Sequence, residues 1–233
     1  MRRSDQHHST RILWLATLLV LLLTGCSSVP LWPSEEQATD TSASNTNPEV
    51  IVTQASVNRF LQTRRALSAV HKAQLSTLQQ QMARGDQAGV SATLDVLLTS
   101  LDAEPQPASI LLLAIGDGFQ SIDEHREAEQ YWVKAIEQNA DNYFAHDRLG
   151  QYYRREGRFV LARKHYNRAI SAWSGFANGY RNRGILFDLY MGDKAAALND
   201  YIQYKQLLEE QGLSIKLVDR WIKEMQRAVQ TES

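Results

Sequence analysis

Residues of like kind recur every 34 positions through the second half of this chain, and that period constrains the fold more than any other feature. Gly116, Gly150 and Gly184 stand in this relation, as do Phe119, Tyr153 and Phe187, Ala128 with Ala162, and Trp132 with Tyr166. A period of this length marks a stack of supersecondary units, each too small to bury its apolar face except against a neighbour. The clearest unit is 143–176. In it Leu149, Gly150 and Tyr153 share one face of a first helix, and Ala162, Tyr166 and Ala169 share one face of a second, because residues three and four apart are neighbours on a helix. Gly150 and Ala162 leave room for two backbones to approach, the aromatics fill the wider gaps, and Gly157 ends the first helix in a left-handed turn.

Leu-Gly, an aromatic, then Ala, an aromatic and Ala at these offsets resemble the tetratricopeptide repeat. The resemblance implies an all-α fold, a right-handed superhelical array of helix-turn-helix repeats at 109–142, 143–176 and 177–211. After Gly184 the next small residue, Ala197, lies 13 rather than 12 positions on, so the turn Met191-Gly192-Asp193 is expected to take one extra residue. The usual proline near the repeat's end is absent, with Ala140 and Ser174 in its place, and the polar stretches 139–142 and 174–178 make the inter-repeat turns. Upstream, Gly85, Val90, Leu94 and Leu97 repeat the offsets of Gly157, Ala162, Tyr166 and Ala169, a worn fourth repeat over His71 to Glu104 that ends before Pro105 and Pro107. Apolar residues from Val57 to Met82 fall at helical intervals and predict a long amphipathic helix within the N-terminal region 53–108. At the other end, Ile215, Val218, Trp221, Ile222, Met225 and Val229 form one stripe in 212–233. This predicts a capping helix that covers the last repeat's open face.

The start of the chain follows another logic. Arg2, Arg3 and Arg11 precede an apolar run, Ile12 to Leu23, which is shorter than the roughly 20 residues a bilayer-spanning helix requires and reads as a secretory signal peptide over 1–25. Leu23, Thr24, Gly25 and Cys26 resemble a bacterial lipobox, and Cys26 is the chain's only cysteine. The resemblance implies cleavage before Cys26 and acylation of it, and Ser27 in place of Asp implies transport to the outer membrane of a Gram-negative cell, on its periplasmic face. Segment 26–52 is then a lipidated tether. Its Ser, Thr, Asn, Pro and Glu offer little to bury, so it is expected to stay disordered and to reach about 25 Å.

Composition excludes some functions. Hydrophobic residues make up 43% of the chain, enough for a core. Removal of 1–25 leaves 22 basic against 25 acidic side chains, a balance that offers nucleic acid no basic surface. No metal-ligand spacing, nucleophile elbow or phosphate-binding loop appears. His71, His125, His146 and His165 are scattered over different helices, with His146 at a packing position. The reading is of a protein that is not an enzyme and uses no cofactor or metal.

Charge is unevenly spread. Span 109–142 is mostly acidic and 143–176 mostly basic, with Arg148, Arg154, Arg155, Arg158, Arg163, Lys164 and Arg168. These charges either pair across the repeat boundary as a solvated face or form a polarised surface that orients a partner. Arrays of this family bind peptides on the concave surface of their first helices, which here presents Leu113, Asp117, Gln120, Asp147, Gln151, Arg154, Asn178, Arg181, Asn182, Ile185 and Asp188. The partner-binding positions are taken as Gln151, Arg154, Arg181, Asn182, Ile185 and Asp188. Of the family's carboxylate clamp only Asn182 matches in part; Leu113, Asp117 and Asp147 depart from it.

The stretch from Asn182 to Asp193, with Trp221 and Ile222, is also similar to tetratricopeptide proteins found beside TonB-type systems. Together these features imply a scaffold or adaptor held to the membrane by its lipid and binding protein or peptide segments of envelope machinery: a TonB-type system, a pilus secretin or a peptidoglycan hydrolase. The alternative is a lipoprotein that associates with itself, as a homodimer, should the apolar surface around Phe60 and Leu67 be left uncovered.

Overall fold

The computed structural model describes residues 58–232, all within one compact unit, Glu49–Ser233. The expected signal peptide, Cys26 and the expected tether lie outside the described residues. The described chain is helical and contains no strand. A short α1 (Arg59–Thr63) precedes α2 (Ala69–Arg84) and α3 (Gln87–Leu101), then α4 (Ser109–Ser121) and α5 (His125–Gln138), and α6 (Tyr143–Arg155) and α7 (Phe159–Ala172). Next come α8 (Ala177–Leu186), continued by a π-helical turn (Phe187–Met191), α9 (Lys194–Glu210) and α10 (Lys216–Glu232). Helices pair as α2 with α3, α4 with α5, α6 with α7 and α8 with α9, and successive pairs stack in chain order.

Within each of the last three pairs a glycine of the first helix lies against an aromatic ring of the second: Gly116 on Trp132, Gly150 on Tyr166, Gly184 on Tyr201. The turns are alike as well. Asp123, Gly157 and Gly192 occupy the left-handed region, with φ of 65°, 72° and 69°, so an aspartate holds in one repeat the conformation that glycine supplies in the other two. The extra residue of the last repeat is not in the turn where the spacing put it. It is absorbed by the π-helical turn just before Gly192, because widening one helical turn keeps Gly184 opposite Tyr201 while a longer loop would have let the pair slip.

Asn142 ties one repeat to the next. Its side-chain oxygen caps α6 by accepting from the Ala145 N–H, while its amide donates to Ser109 Oγ at 2.7 Å. Ser109 in turn donates to the Ala135 carbonyl at 2.7 Å, so the buried polar groups of this junction satisfy one another. At the C-terminal end Val218, Ile222 and Met225 of α10 pack on Ala197 and Tyr201 of α9, and Lys205 pairs with Asp219 at 2.8 Å. α10 closes the stack.

The single long helix expected over Val57–Met82 is two helices. Ser68 caps α2 by accepting from His71 N, and residues 64–68 are non-helical. The division follows from where each part packs. α2 lies on α3 and α4, whereas α1 crosses to the inter-repeat turns. There Phe60 is fully buried, edge-on to Tyr143 and Phe144 with centroids 5.8 and 6.3 Å away. Arg59 donates to Asp141 and to the Ser171 carbonyl, Asn139 donates to Thr63, and Arg65 donates to the Gln106 carbonyl. Segment 58–65 is therefore a strap along the turn edge of the array. Since it covers Phe60, the apolar surface invoked for a homodimer is not open there.

Candidate functional site

The first helices α4, α6 and α8 carry the positions expected to face a groove, and a buried polar ladder crosses all three. Arg148 grips Asp117 with both prongs, Nε to Oδ1 at 2.8 Å and Nη2 to Oδ2 at 3.1 Å, and Trp132 Nε1 donates to the same Oδ1 at 3.0 Å. Arg148 Nη1 lies 3.7 Å from Asp147 Oδ2. Asp147 is 2% exposed and accepts from Gln151 Nε2 and Asn182 Nδ2, each at 2.7 Å. Burial pushes the Asp147 carboxyl up, opposed by Arg148, Asn182, Gln151 and Arg181, and Asp117 drives the Arg148 guanidinium up. Acidic and basic repeats thus meet through a desolvated, hydrogen-bonded junction rather than a solvated one.

This ladder reassigns several expected groove residues. Leu113, Asp117 and Asp147 are buried. Asn182, only 4% exposed, is a strut between repeats: one of its amide N–H groups goes to Asp147 and its side chain is covered. Asp188 is also committed: it receives Lys194 Nζ at 2.7 Å and the Tyr201 hydroxyl at 3.2 Å, closing the α8–α9 hairpin. Gln151 gives one N–H to Asp147 and is half-buried.

What remains open are Arg154 on α6 and Arg181 and Ile185 on α8, all half-buried, with Asn178 exposed at the start of α8. By geometry neither Arg154 Nε nor the Tyr166 hydroxyl, both buried, meets a hydrogen-bond partner, yet the Arg154 side chain lies close enough to act on the phenol as a hydrogen-bonding group. Burial raises the Tyr166 phenol and Asp147 raises it further, while Arg154 and Arg181 both act to lower it, which places the two guanidinium groups around one hydroxyl. Arg181 reaches only Asn182 Oδ1, at a long 3.4 Å from both Nε and Nη2. The arrangement offers the outward N–H donors of Arg154 and Arg181 to an incoming carboxylate or carbonyl oxygen.

Sequence reasoning missed the wall of this site. Tyr190 lies in the π-helical turn with its ring 5.5 Å from the Arg154 guanidinium carbon and 5.2 Å from Phe159, and Leu189 beside it is 67% exposed. The signal available was the extra residue itself, since π-helical turns recur at functional sites. Asp200 was missed too; it receives a two-pronged bond from Arg183 at 2.6 and 2.8 Å, the last rung of the same kind.

No family model matches the chain, and no curated protein matches it. Among solved structures the fold is similar to a tetratricopeptide repeat protein from Parabacteroides merdae, at 16% identity and a TM-score of 0.54 over 69% of this chain and 62% of that one. It is also similar to MamA residues 41 to the end from Desulfovibrio magneticus RS-1, at 13% identity and 0.50 over 72% and 99%. A further MamA crystal structure gives 18% and 0.50 over 68% and 91%. These likenesses establish a tetratricopeptide fold.

Proposed function

We propose that this protein is a lipid-anchored periplasmic scaffold of the outer membrane, which uses the groove between α6 and α8 to hold an extended, acidic segment of another envelope protein. The observation that carries this reading is the pair Arg154 and Arg181: two half-buried guanidinium groups on successive first helices, neither within ion-pair distance of a carboxylate among the described residues. A ligand carboxylate or backbone carbonyl would take the outward N–H donors that these two groups have left over. Ile185, Tyr190 and Leu189 supply apolar area beside the charges, so the segment binds by backbone, acidic side chain and one apolar contact. The membrane part of the proposal is supported by the Leu23 to Cys26 lipobox and by Ser27. The envelope pathways open to such an adaptor are a TonB-type system, a pilus secretin and a peptidoglycan hydrolase.

The test is capture of partners in cells by chemical crosslinking, comparing the native chain with Arg154→Glu/Arg181→Glu. The double variant is expected to lose the captured protein while keeping its circular dichroism and mass; capture at the native level by a folded double variant rejects the groove. For the anchor, Cys26→Ser is expected to accumulate as precursor, and normal processing without an acyl label rejects it.

A further inference from the structure

The outward face of α7 is a stripe of a kind that neither neighbour has. Val160, Arg163, Lys164, Asn167, Arg168 and Ser171 share one face, each with a neighbour three or four residues on or back, opposite the buried Ala162, Tyr166 and Ala169, and all six are exposed. They line an open depression of about 420 Å³. α7 contains no acidic residue, and among the described residues Arg163, Lys164 and Arg168 have no carboxylate within ion-pair distance. Thirty-four positions earlier, on α5, the same three places hold Glu129, Gln130 and Lys134; thirty-five later, on α9, they hold Leu198, Asn199 and Gln203. The cations are therefore not a by-product of the repeat. Val160 is 68% exposed among them.

We infer that this face docks on an anionic phospholipid bilayer, a choice of occupant that rests on the lipid-anchor reading of Cys26. Where the chain enters the fold supports it. Arg59, the second described residue, donates to the carbonyl of Ser171 at 2.9 Å, so the segment coming from the anchor arrives at the C-terminal end of the stripe itself. Thirty-one residues separate Cys26 from Asn58, a length of chain that can span at most about 100 Å. α7, at 14 residues, is about 21 Å long. The bilayer that holds the acyl chains is within reach of the whole stripe. Clustered Lys and Arg are drawn to anionic headgroups, and a valine between them can enter the headgroup region. Docking by α7, a second helix of its pair, leaves the first-helix groove with Arg154 and Arg181 free for a partner.

The experiment uses residues 49–233, the compact unit that carries the described core and lacks Cys26, so no acyl chain contributes. Flotation with phosphatidylcholine vesicles is compared with flotation when phosphatidylglycerol is added, at low and at raised salt. About tenfold more protein is expected on the anionic vesicles at low salt, falling as salt rises. Arg163→Glu/Lys164→Glu/Arg168→Glu is expected to return to the neutral-vesicle level with unchanged circular dichroism, and Arg163→Lys/Arg168→Lys to stay bound. Equal flotation on both vesicle types, or native-level binding by the triple variant, overturns the inference; so does crosslinking from position 163 to an acidic protein without vesicle binding. Acyl labelling of the full chain reports on Cys26 separately, so failure of the anchor and failure of the docking face are read in different assays.

Discussion

A β-carbon added to Gly150 would meet Cε1 of Tyr166 at 2.5 Å and Cδ1 at 2.6 Å, so the closest contact of repeat 143–176 is a helix backbone against the face of a buried ring. Both partners are fixed, Tyr166 being fully buried. Gly150→Leu is therefore expected to lower stability by roughly 1–3 kcal/mol or more through overpacking. Urea unfolding checks it, and an unchanged midpoint would mean that the two helices do not meet at this residue.

Arg148 answers both Asp117 and Asp147 in a site from which water is largely excluded. Arg148→Met strands two buried carboxylates and is expected to cost about 3–5 kcal/mol. Replacing Asp117 by Asn alongside it removes one of those charges, so the double variant should lose less than the two single losses added together. Denaturant titrations of the two single variants and the double complete the cycle; strict additivity would contradict a shared network.

The strap makes a different kind of prediction. Phe60 is its only buried residue in α1, and a Phe→Ala change in a core costs about 3–5 kcal/mol. Here the loss is limited by the ease with which a five-residue helix can detach. Phe60→Ala is expected to leave the melting of the array nearly unchanged while exposing Arg64 and Arg65 to trypsin, read by the time course of cleavage after those residues.

His146 and His165 face one another with Nδ1 atoms 3.2 Å apart, and His146 Nε2 lies 3.1 Å from the Ala140 carbonyl. His146 therefore carries its proton on Nε2 and accepts on Nδ1 from His165 Nδ1–H. Burial lowers both, and His146 together with Lys164 takes His165 down to about 4; Arg168 lowers His146 further while Asp141 opposes it. At neutral pH both rings are neutral and cost nothing. As pH falls from about 6.5 towards 4, the unfolded chain binds protons that the folded one refuses, and stability is lost across that window. The fall in Tm between about pH 7.5 and pH 5 should be smaller in His165→Gln by a few degrees, measured by calorimetry.

The glycine and aromatic spacings were legible because each repeat buries the same contact, and even the shift from Tyr166 to Tyr201 by 35 rather than 34 positions was visible as an extra residue. Its location was not, since a turn and a widened helix add the same count. The break after Thr63 was hidden for a different reason: helical spacing continues through Arg64 to Ser68, and the partners that draw Phe60 aside, Tyr143 and Phe144, lie more than 80 positions away. Polar residues on a groove face misled in the same way. Asn182 and Asp188 look like ligand-facing side chains until Asp147, Lys194 and Tyr201 are seen to hold them, whereas Arg154 and Arg181 stand out as groove cations with no carboxylate within ion-pair distance among the described residues.

The most direct measurement of the groove is a photoreactive residue placed at Ile185 in the full chain and irradiated in cells. An adduct with a second protein is predicted, absent when Arg154→Glu/Arg181→Glu is built into the same chain and absent from a control probe at the exposed Val96. An adduct that survives the double charge reversal, or one formed equally from Val96, would contradict a partner site between α6 and α8.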